Sequence, residues 1–170
     1  VSEYLNINTP KGIILSGGLG TRLFPSTLVT SKQLLPIYDK PMIYYPLSIL
    51  MLAEIKDILM IVTSRDLLQF KKLLGNGRQW GIRINYVVQK KPKGLADALI
   101  ISKKFLNGSP SVLILGDNIF YGSDLEKTLI NHTLQDSSGA TIFAYHVNNP
   151  KDYGVVNFDS KDNVKEIVEK

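Results

Sequence analysis

Strand-like and helix-like segments alternate along this chain of 170 residues as far as Pro150, and that order restricts the possible folds more than any other feature. Periodicity and residue propensity predict strands at 12–16, 58–63, 82–89, 112–116 and 140–147. They predict helices between these strands at 43–54, 66–74, 94–106 and 123–133. Three of the strand segments are continuously apolar, which is typical of strands covered on both faces. The alternation therefore predicts an α/β fold: a Rossmann-like, three-layer αβα architecture with right-handed crossovers and a mostly parallel central sheet.

The pattern changes after Pro150. Residues 153–159 and 164–168 alternate between polar and apolar side chains on either side of a short polar turn. This arrangement predicts a β-hairpin added near the carboxyl end of the chain. The sequence contains no linker and no repeat, so we expect one domain over residues 11–170, preceded by an extension at residues 1–10.

A glycine-rich segment follows the first predicted strand. Gly17, Gly18 and Gly20 allow the backbone to turn tightly and to bring its N–H groups close to an anion. Arg22 and Lys32 add two positive charges after these glycines. A strand, a glycine loop and cations in this order predict a binding site for a polyphosphate.

Two familiar phosphate-binding loops do not match this segment. A Walker A loop has Lys followed by Ser or Thr directly after its last glycine, whereas Thr21 and Arg22 follow Gly20 here. A dinucleotide-binding fingerprint has a third glycine, which is missing after Gly20. The remaining alternative is a glycine-rich turn without a ligand, and the two nearby cations make it the less favoured interpretation.

Two more polar residues directly follow predicted strands, where parallel sheets bind their ligands. Asp117 is a lone carboxylate, which suits Mg²⁺ because this ion takes few protein oxygens and shares phosphate oxygens. Gln89 has an amide that donates and accepts hydrogen bonds, so it could read the edge of a nucleobase. The alternatives are a turn-forming Asp-Asn pair and an ordinary surface glutamine.

Composition excludes several classes of function. The net charge is +5, but the longest basic cluster, at 90–93, is too short for a nucleic-acid-binding stripe, so we expect no nucleic-acid partner. The chain has no cysteine and two histidines in unrelated segments, which makes a zinc site improbable. The longest apolar stretch, at 42–55, is too short to cross a bilayer, and residues 1–10 do not form a signal peptide. We therefore expect a soluble cytoplasmic protein without a membrane partner.

Several of these segments resemble one family. The resemblance is carried by residues 17–27, 32–47, 94–96, 115–122, 153–156 and 169–170, together with Gln89. They are similar to the sugar nucleotidyltransferases, in particular to those that use dTTP, and the similarity covers nearly everything from Lys11 onward. The resemblance implies the fold of the nucleotide-diphospho-sugar transferases.

The resemblance also implies a reaction. A thymidylyl group would pass from dTTP to glucose 1-phosphate, giving dTDP-glucose and pyrophosphate on the way to dTDP-rhamnose. Mg²⁺ would be the cofactor, and the protein would be a homo-oligomer, since the family is typically tetrameric. A UTP-using sugar-1-phosphate nucleotidyltransferase and a non-catalytic nucleotide-binding fragment are the alternatives.

The resemblance assigns roles to individual residues. Arg22, Lys32 and Lys170 would be catalytic: the first two would hold the triphosphate and the third the sugar phosphate. Asp117 would hold Mg²⁺. The remaining matching positions would bind substrate: Gly17, Gly18, Gly20, Thr21, Gln33, Gln89, Gly94, Tyr153, Gly154 and Glu169. Family members continue beyond the position of Lys170, so we expect an amino-terminal portion with a complete nucleotide half and an incomplete sugar half of the site.

Overall fold

The computed structural model describes residues 9–18, 20–91, 94–122, 124–134, 139–161 and 163–168. The chain divides into two compact units, the first ending at residue 135 and the second beginning at residue 136. Each unit is described by itself, and the expectation of one domain over residues 11–170 stays a prediction. The predicted extension at residues 1–10 lies outside the described residues except for Thr9 and Pro10.

The described residues of the first unit form six strands and four α-helices, together with short 3-10 helices. The strands are β1 Lys11–Ser16, β2 Pro36–Ile37, β3 Lys40–Pro41, β4 Asp57–Val62, β5 Arg83–Val88 and β6 Ser111–Leu115. The α-helices are α1 Tyr44–Leu52, α2 Leu67–Leu74, α3 Leu95–Leu106 and α4 Leu125–Leu134. These helices are too short to cross a bilayer, so the described residues contain no membrane-spanning helix.

The central sheet is parallel and has the strand order β5-β4-β1-β6. Ile13 pairs with Leu59 on one side of β1 and with Leu113 on the other. The first four predicted strands are confirmed to within one residue at each end, and the four predicted helices to within two residues. The serine of the predicted segment 123–133 lies outside the described residues, and α4 begins two positions later.

Alternate side chains of each central strand enter two different cores. On one face, Ile14 and Met60 pack with apolar residues of α1, α2 and α4, including Leu47 and Phe70. On the other face, Ile13, Leu59 and Ile61 pack with Ala98 of α3. Because helices cover both faces, β1, β4 and β6 are mostly apolar after their first residue or two, and the three-layer αβα prediction is confirmed.

The predicted strand at 140–147 is wrong. The structure assigns no strand to these residues, and nearly all of them are exposed. Their alternating side chains suit the surface of a sheet, but a strand also needs a neighbour for its backbone hydrogen bonds. No strand pairs with this segment within the part of the chain that the structure describes.

The second unit contains the predicted hairpin. Strands β7 Val155–Phe158 and β8 Val164–Val168 are antiparallel, with Val156 opposite Ile167. Asp159 closes the turn, since its Oδ1 accepts hydrogen bonds from the backbone N–H groups of Asn163 at 3.0 Å and Lys161 at 2.8 Å. Hydrogen bonds from Asn163, and then from Lys161, lower the pKa of the Asp159 carboxyl.

Candidate functional site

The strand order creates a crevice between β1 and β6. From β1 the chain adds β4 and then β5 on one side, and it then returns to add β6 on the other side. At such a reversal the connections leave the sheet on opposite faces, which opens a ligand site at the carboxyl ends of the two strands. The residues just past β1 and β6 are Gly17 and Gly116, so the glycine loop and Asp117 meet at this crevice.

The glycine loop folds tightly on itself. Gly20 has φ 64° and ψ 30°, a left-handed conformation that favours glycine, and it precedes a short 3-10 helix at Thr21–Leu23. The Thr27 hydroxyl donates to the Gly20 carbonyl oxygen at 3.0 Å. A Cβ atom at Gly20 would lie 2.9 Å from Thr27 Cγ2 and 3.0 Å from Lys32 Cβ. Glycine at position 20 therefore lets the loop approach Lys32.

An open cleft of about 400 Å³ lies against this loop. The cleft is lined by Gly18, Gly20, Thr21, Arg22, Leu23, Lys32, Gln33 and Asp117. All of these except Leu23 are residues that the sequence analysis selected. Two cations and one carboxylate give the lining a net positive charge, which favours an anionic ligand.

Lys32 and Asp117 form an ion pair across the cleft. Lys32 lies in a 3-10 helix at Lys32–Leu34, and its Nζ donates to Asp117 Oδ2 at 2.9 Å. About a third of each side chain is exposed. Both groups can therefore reach a ligand, and such a partly exposed pair exchanges partners at little cost.

Gln33 forms a fixed part of the cleft wall. It is buried, its amide oxygen accepts a hydrogen bond from the buried Ser31 hydroxyl, and its backbone oxygen accepts from Ile43 N–H at 2.9 Å. The structure thus places the amide at the cleft, in a position set by Ser31.

Gly116 allows β6 to end close to β1. A Cβ atom at Gly116 would lie 2.2 Å from the Oγ atom of buried Ser16 and 3.0 Å from Gln33 Cγ. No side chain fits at that distance, so a residue other than glycine would push the end of β6, and Asp117 with it, away from the crevice.

We expect Gly116→Ala to destabilise the first unit by about 1–3 kcal/mol, because the added methyl group overpacks this contact. Ser16→Ala removes the nearest atom, so the double variant should recover part of the loss. Urea unfolding measures all three changes. Gly122→Ala is the control, since a Cβ atom there would meet nothing within 4 Å. Equal stabilities of Gly116→Ala and Gly122→Ala would contradict the close approach.

Gln89 lies beside the glycine loop. It directly follows β5, is 5% exposed, and its backbone N–H donates to the Val62 carbonyl oxygen at 2.9 Å. A Cβ atom at Gly17 would lie 2.7 Å from Gln89 Oε1. Gln89 Nε2 donates to Asp97 Oδ2 at 2.7 Å. The structure thus brings Gln89 next to Gly17, although β4 lies between β5 and β1 in the sheet.

The remaining predicted site residues are Gly94, Tyr153, Gly154, Glu169 and Lys170. Gly94, with φ 85°, precedes α3, the helix that carries Asp97. Tyr153 and Gly154 belong to the second unit, where Tyr153 is half exposed. Glu169 and Lys170 lie outside the described residues. The roles assigned to all the site residues stay predictions.

The sequence analysis did not identify four residues that position the site. Thr27 holds Gly20, Ser31 holds Gln33, and Asp97 holds Gln89. Gly116 lets β6 approach β1. For two of them the sequence contains only weak signals. Gly116 directly precedes Asp117, and Asp97 is an acidic residue in the first turn of the helix that follows Gln89.

A metal ion at this cleft would have few protein ligands. No group of three or more His, Asp or Glu side chains that could hold a metal occurs among the residues that the structure describes. Asp117 is the acidic residue that lines the cleft. A single carboxylate beside a glycine loop fits Mg²⁺, which takes few protein ligands and shares its coordination with water and phosphate oxygens.

A parallel α/β sheet with a glycine loop, two cations and one carboxylate at its reversal point defines a nucleotide-binding class of protein. The family model described as nucleotidyl transferase matches residues 11–170, and the chain belongs to this family. The family and fold predicted from the sequence are thereby confirmed.

Two curated relatives show which members of this family the chain is similar to. The chain is 56% identical over 160 residues to a glucose-1-phosphate thymidylyltransferase of Xanthomonas campestris pv. campestris (strain B100), covering 94% of this chain and 54% of that protein. It is 55% identical to the protein of that name from Neisseria meningitidis serogroup A, covering 94% and 55%. The chain spans about half the length of these relatives.

Solved structures share the fold. A crystal structure of a Bacillus anthracis protein, provisionally assigned as a glucose-1-phosphate thymidylyltransferase, superposes with a TM-score of 0.86 at 38% identity, covering 94% of this chain and 63% of that one. A UDP-glucose pyrophosphorylase complexed with UDP-glucose superposes with a TM-score of 0.72 at 25% identity, covering 95% and 69%.

Proposed function

We propose that this chain forms the nucleotide-binding part of an enzyme that transfers thymidylyl from dTTP to glucose 1-phosphate. The observation that carries the proposal is the meeting of Lys32 and Asp117, at 2.9 Å, beside a glycine loop at the reversal point of a parallel sheet. The identities of 55% and 56% to proteins named for this reaction support the choice of dTTP.

The glycine loop and the two cations would hold the triphosphate. Gly18 and Gly20 line the cleft and leave the backbone open to phosphate oxygens, and the exposed Arg22 lies on the same cleft. Lys32 would leave Asp117 and bind a phosphate oxygen. Arg22 and Lys32 then neutralise the charge that grows on pyrophosphate as it leaves.

Asp117 would hold Mg²⁺ together with phosphate oxygens. When bound, this ion would neutralise phosphate charge and so lower the repulsion between the two anionic substrates. The Lys32 ammonium, which pairs with Asp117 in the structure, would then be available to the nucleotide.

The transfer itself needs alignment rather than a general base. An oxygen of the sugar phosphate, already ionised at pH 7, attacks the α-phosphorus of dTTP, and the bond from this phosphorus to the β-phosphate oxygen breaks. The main barrier is the approach of two anions, which positioning and fixed cations reduce. Lys170 and Glu169 would bind the sugar phosphate and the sugar hydroxyls, and Tyr153 and Gly154 would add to that half of the site.

The location, the use of the product and the assembly of the protein are part of the same proposal. The protein would work in the cytoplasm, supply dTDP-glucose for dTDP-rhamnose, and form a homo-oligomer, a tetramer as in the family. The resemblance of residues 17–47 to the family supports these points, and the mass of the protein in solution tests the last of them.

We expect Mg²⁺-dependent binding of dTTP to weaken by at least about tenfold in Arg22→Ala and in Asp117→Ala, because each removes a charged partner of the triphosphate. Titration calorimetry with dTTP, with ATP for comparison, measures the loss. Arg78→Ala and Glu54→Gln, which remove exposed charges of the first unit that do not line the cleft, are the matched controls. Parent-like affinities in both site variants would refute the assignment of the cleft.

A further inference from the structure

The amide group of Gln89 is held from two sides. Its backbone is tied to β4 through Val62, and its Nε2 donates to Asp97 Oδ2 at 2.7 Å from the first turn of α3. With 5% of the residue exposed, Gln89 has little freedom to turn. The contact with Asp97 therefore decides which end of the amide faces the glycine loop.

The two ends of a glutamine amide have nearly the same shape but opposite hydrogen-bonding character. The oxygen accepts, the nitrogen donates, and rotating the group by a half turn exchanges them. An ionised carboxylate only accepts, so Asp97 attracts Nε2 and repels Oε1. This preference places Oε1 on the side of Gly17, where a Cβ atom would lie 2.7 Å from it.

We infer that Asp97 is a specificity-determining positioning residue, which fixes the Gln89 amide so that it accepts thymine or uracil and rejects cytosine. The inference rests on the proposed function, in which Gln89 reads the pyrimidine edge. With one amide hydrogen bound to Asp97, Gln89 presents Oε1 as an acceptor and its second amide hydrogen as a donor.

The bases differ at the two ring positions that such an amide would meet. Thymine and uracil offer an N3–H donor beside the O4 acceptor, which match Oε1 and the second amide hydrogen. Cytosine offers the N3 acceptor beside the N4 amino donor, the reverse order. Binding cytosine would require the reversed amide, which turns Oε1 toward Asp97 and leaves a buried group without its partner.

The test compares the affinities of dTTP, dUTP and dCTP, each with Mg²⁺, by titration calorimetry. The parent should prefer dTTP and dUTP over dCTP by about tenfold or more, as expected for a hydrogen bond to a charged group. In Asp97→Asn either end of the Gln89 amide can be satisfied, so the ratio of dTTP to dCTP affinity should fall about tenfold. The ratio cancels the general effect of removing one negative charge on all triphosphates.

Two further variants keep the result interpretable. Asp97→Ala releases the amide without offering a new partner and should also lower the ratio. Glu54→Gln, which neutralises an exposed carboxylate just before the amino end of β4, should not. The side-chain amide signals of Gln89 in nitrogen-15 NMR spectra, assigned with Gln89→Ala, should shift on Asp97→Asn in the nucleotide-free protein.

The outcomes separate the inference from the proposed function. A parent that prefers dTTP, together with an Asp97→Asn variant that binds every nucleotide more weakly by the same factor, overturns the role of Asp97 and leaves the proposed function in place. A folded parent that binds none of the three nucleotides overturns both.

Discussion

Phe70→Ala is expected to lower the free energy of unfolding of the first unit by about 3–5 kcal/mol, the usual loss for a large buried aromatic side chain. Phe70 is fully buried on α2, in the core that includes Leu74 and Ile84. Because domains are stable by only about 5–15 kcal/mol, this one change should remove a large share of the stability.

Urea unfolding followed by tryptophan fluorescence measures this loss. Trp80 is the one tryptophan of the chain, and its ring packs edge-to-face on Tyr44 at 5.8 Å between centroids, so it reports on the first unit. Leu68→Ala on the same helix is the control, since Leu68 is 77% exposed and its loss should cost less than about 0.5 kcal/mol. Similar midpoints for the two variants would show that α2 does not pack against the sheet as described.

The central sheet could be predicted from the sequence because its strands are covered on both faces. The segment at Asp57–Val62 is almost entirely buried, and its apolar run coincides with β4. The segment at 140–147 has a comparable propensity but no pairing partner among the described residues. A side-chain pattern shows which faces of a strand could be buried. Whether the strand forms also depends on a second segment that pairs with it, and the local sequence does not specify that segment.

The site could be predicted in part for the same reason. Gly17, Gln89 and Asp117 each lie just past the carboxyl end of a strand, so a parallel sheet places them at one edge. The ion pair between Lys32 and Asp117 could not be predicted, because these residues are 85 positions apart and meet only if β6 lies beside β1.

Positioning residues were harder to identify than ligand residues. Asp97 stands in the first turn of a helix, where an acidic residue is commonly explained by the helix dipole. Its hydrogen bond to Gln89 depends on where the first turn of α3 lies relative to the end of β5, and tertiary packing determines that position. Ser31 and Thr27 are similar, since each is buried and bonds to a neighbour within the loop.

Lys32→Ala should weaken the binding of dTTP by about 10–100-fold, the value of a hydrogen bond to a charged group. In the free protein the Lys32 ammonium neutralises Asp117, and breaking this partly exposed pair costs little free energy. Most of the free energy of the new contact between Lys32 and phosphate therefore contributes to the affinity for dTTP. The loss should be smaller for dTMP, which lacks the β- and γ-phosphates. Lys40→Ala is the control, because Lys40 pairs with Asp39 at the surface.

A double-mutant cycle distinguishes the two partners of Lys32. If Lys32 served only to neutralise Asp117, Lys32→Ala would have no effect on dTTP affinity once Asp117 is replaced by Ala. If it binds phosphate, Lys32→Ala should still weaken dTTP binding in the Asp117→Ala background. We expect the second result, because the ammonium lies on the same cleft as Gly18, Gly20 and Arg22, where a triphosphate would bind whether or not Asp117 is present. Lys32 then has two anionic partners in turn: Asp117 in the free protein and a phosphate group of dTTP in the complex.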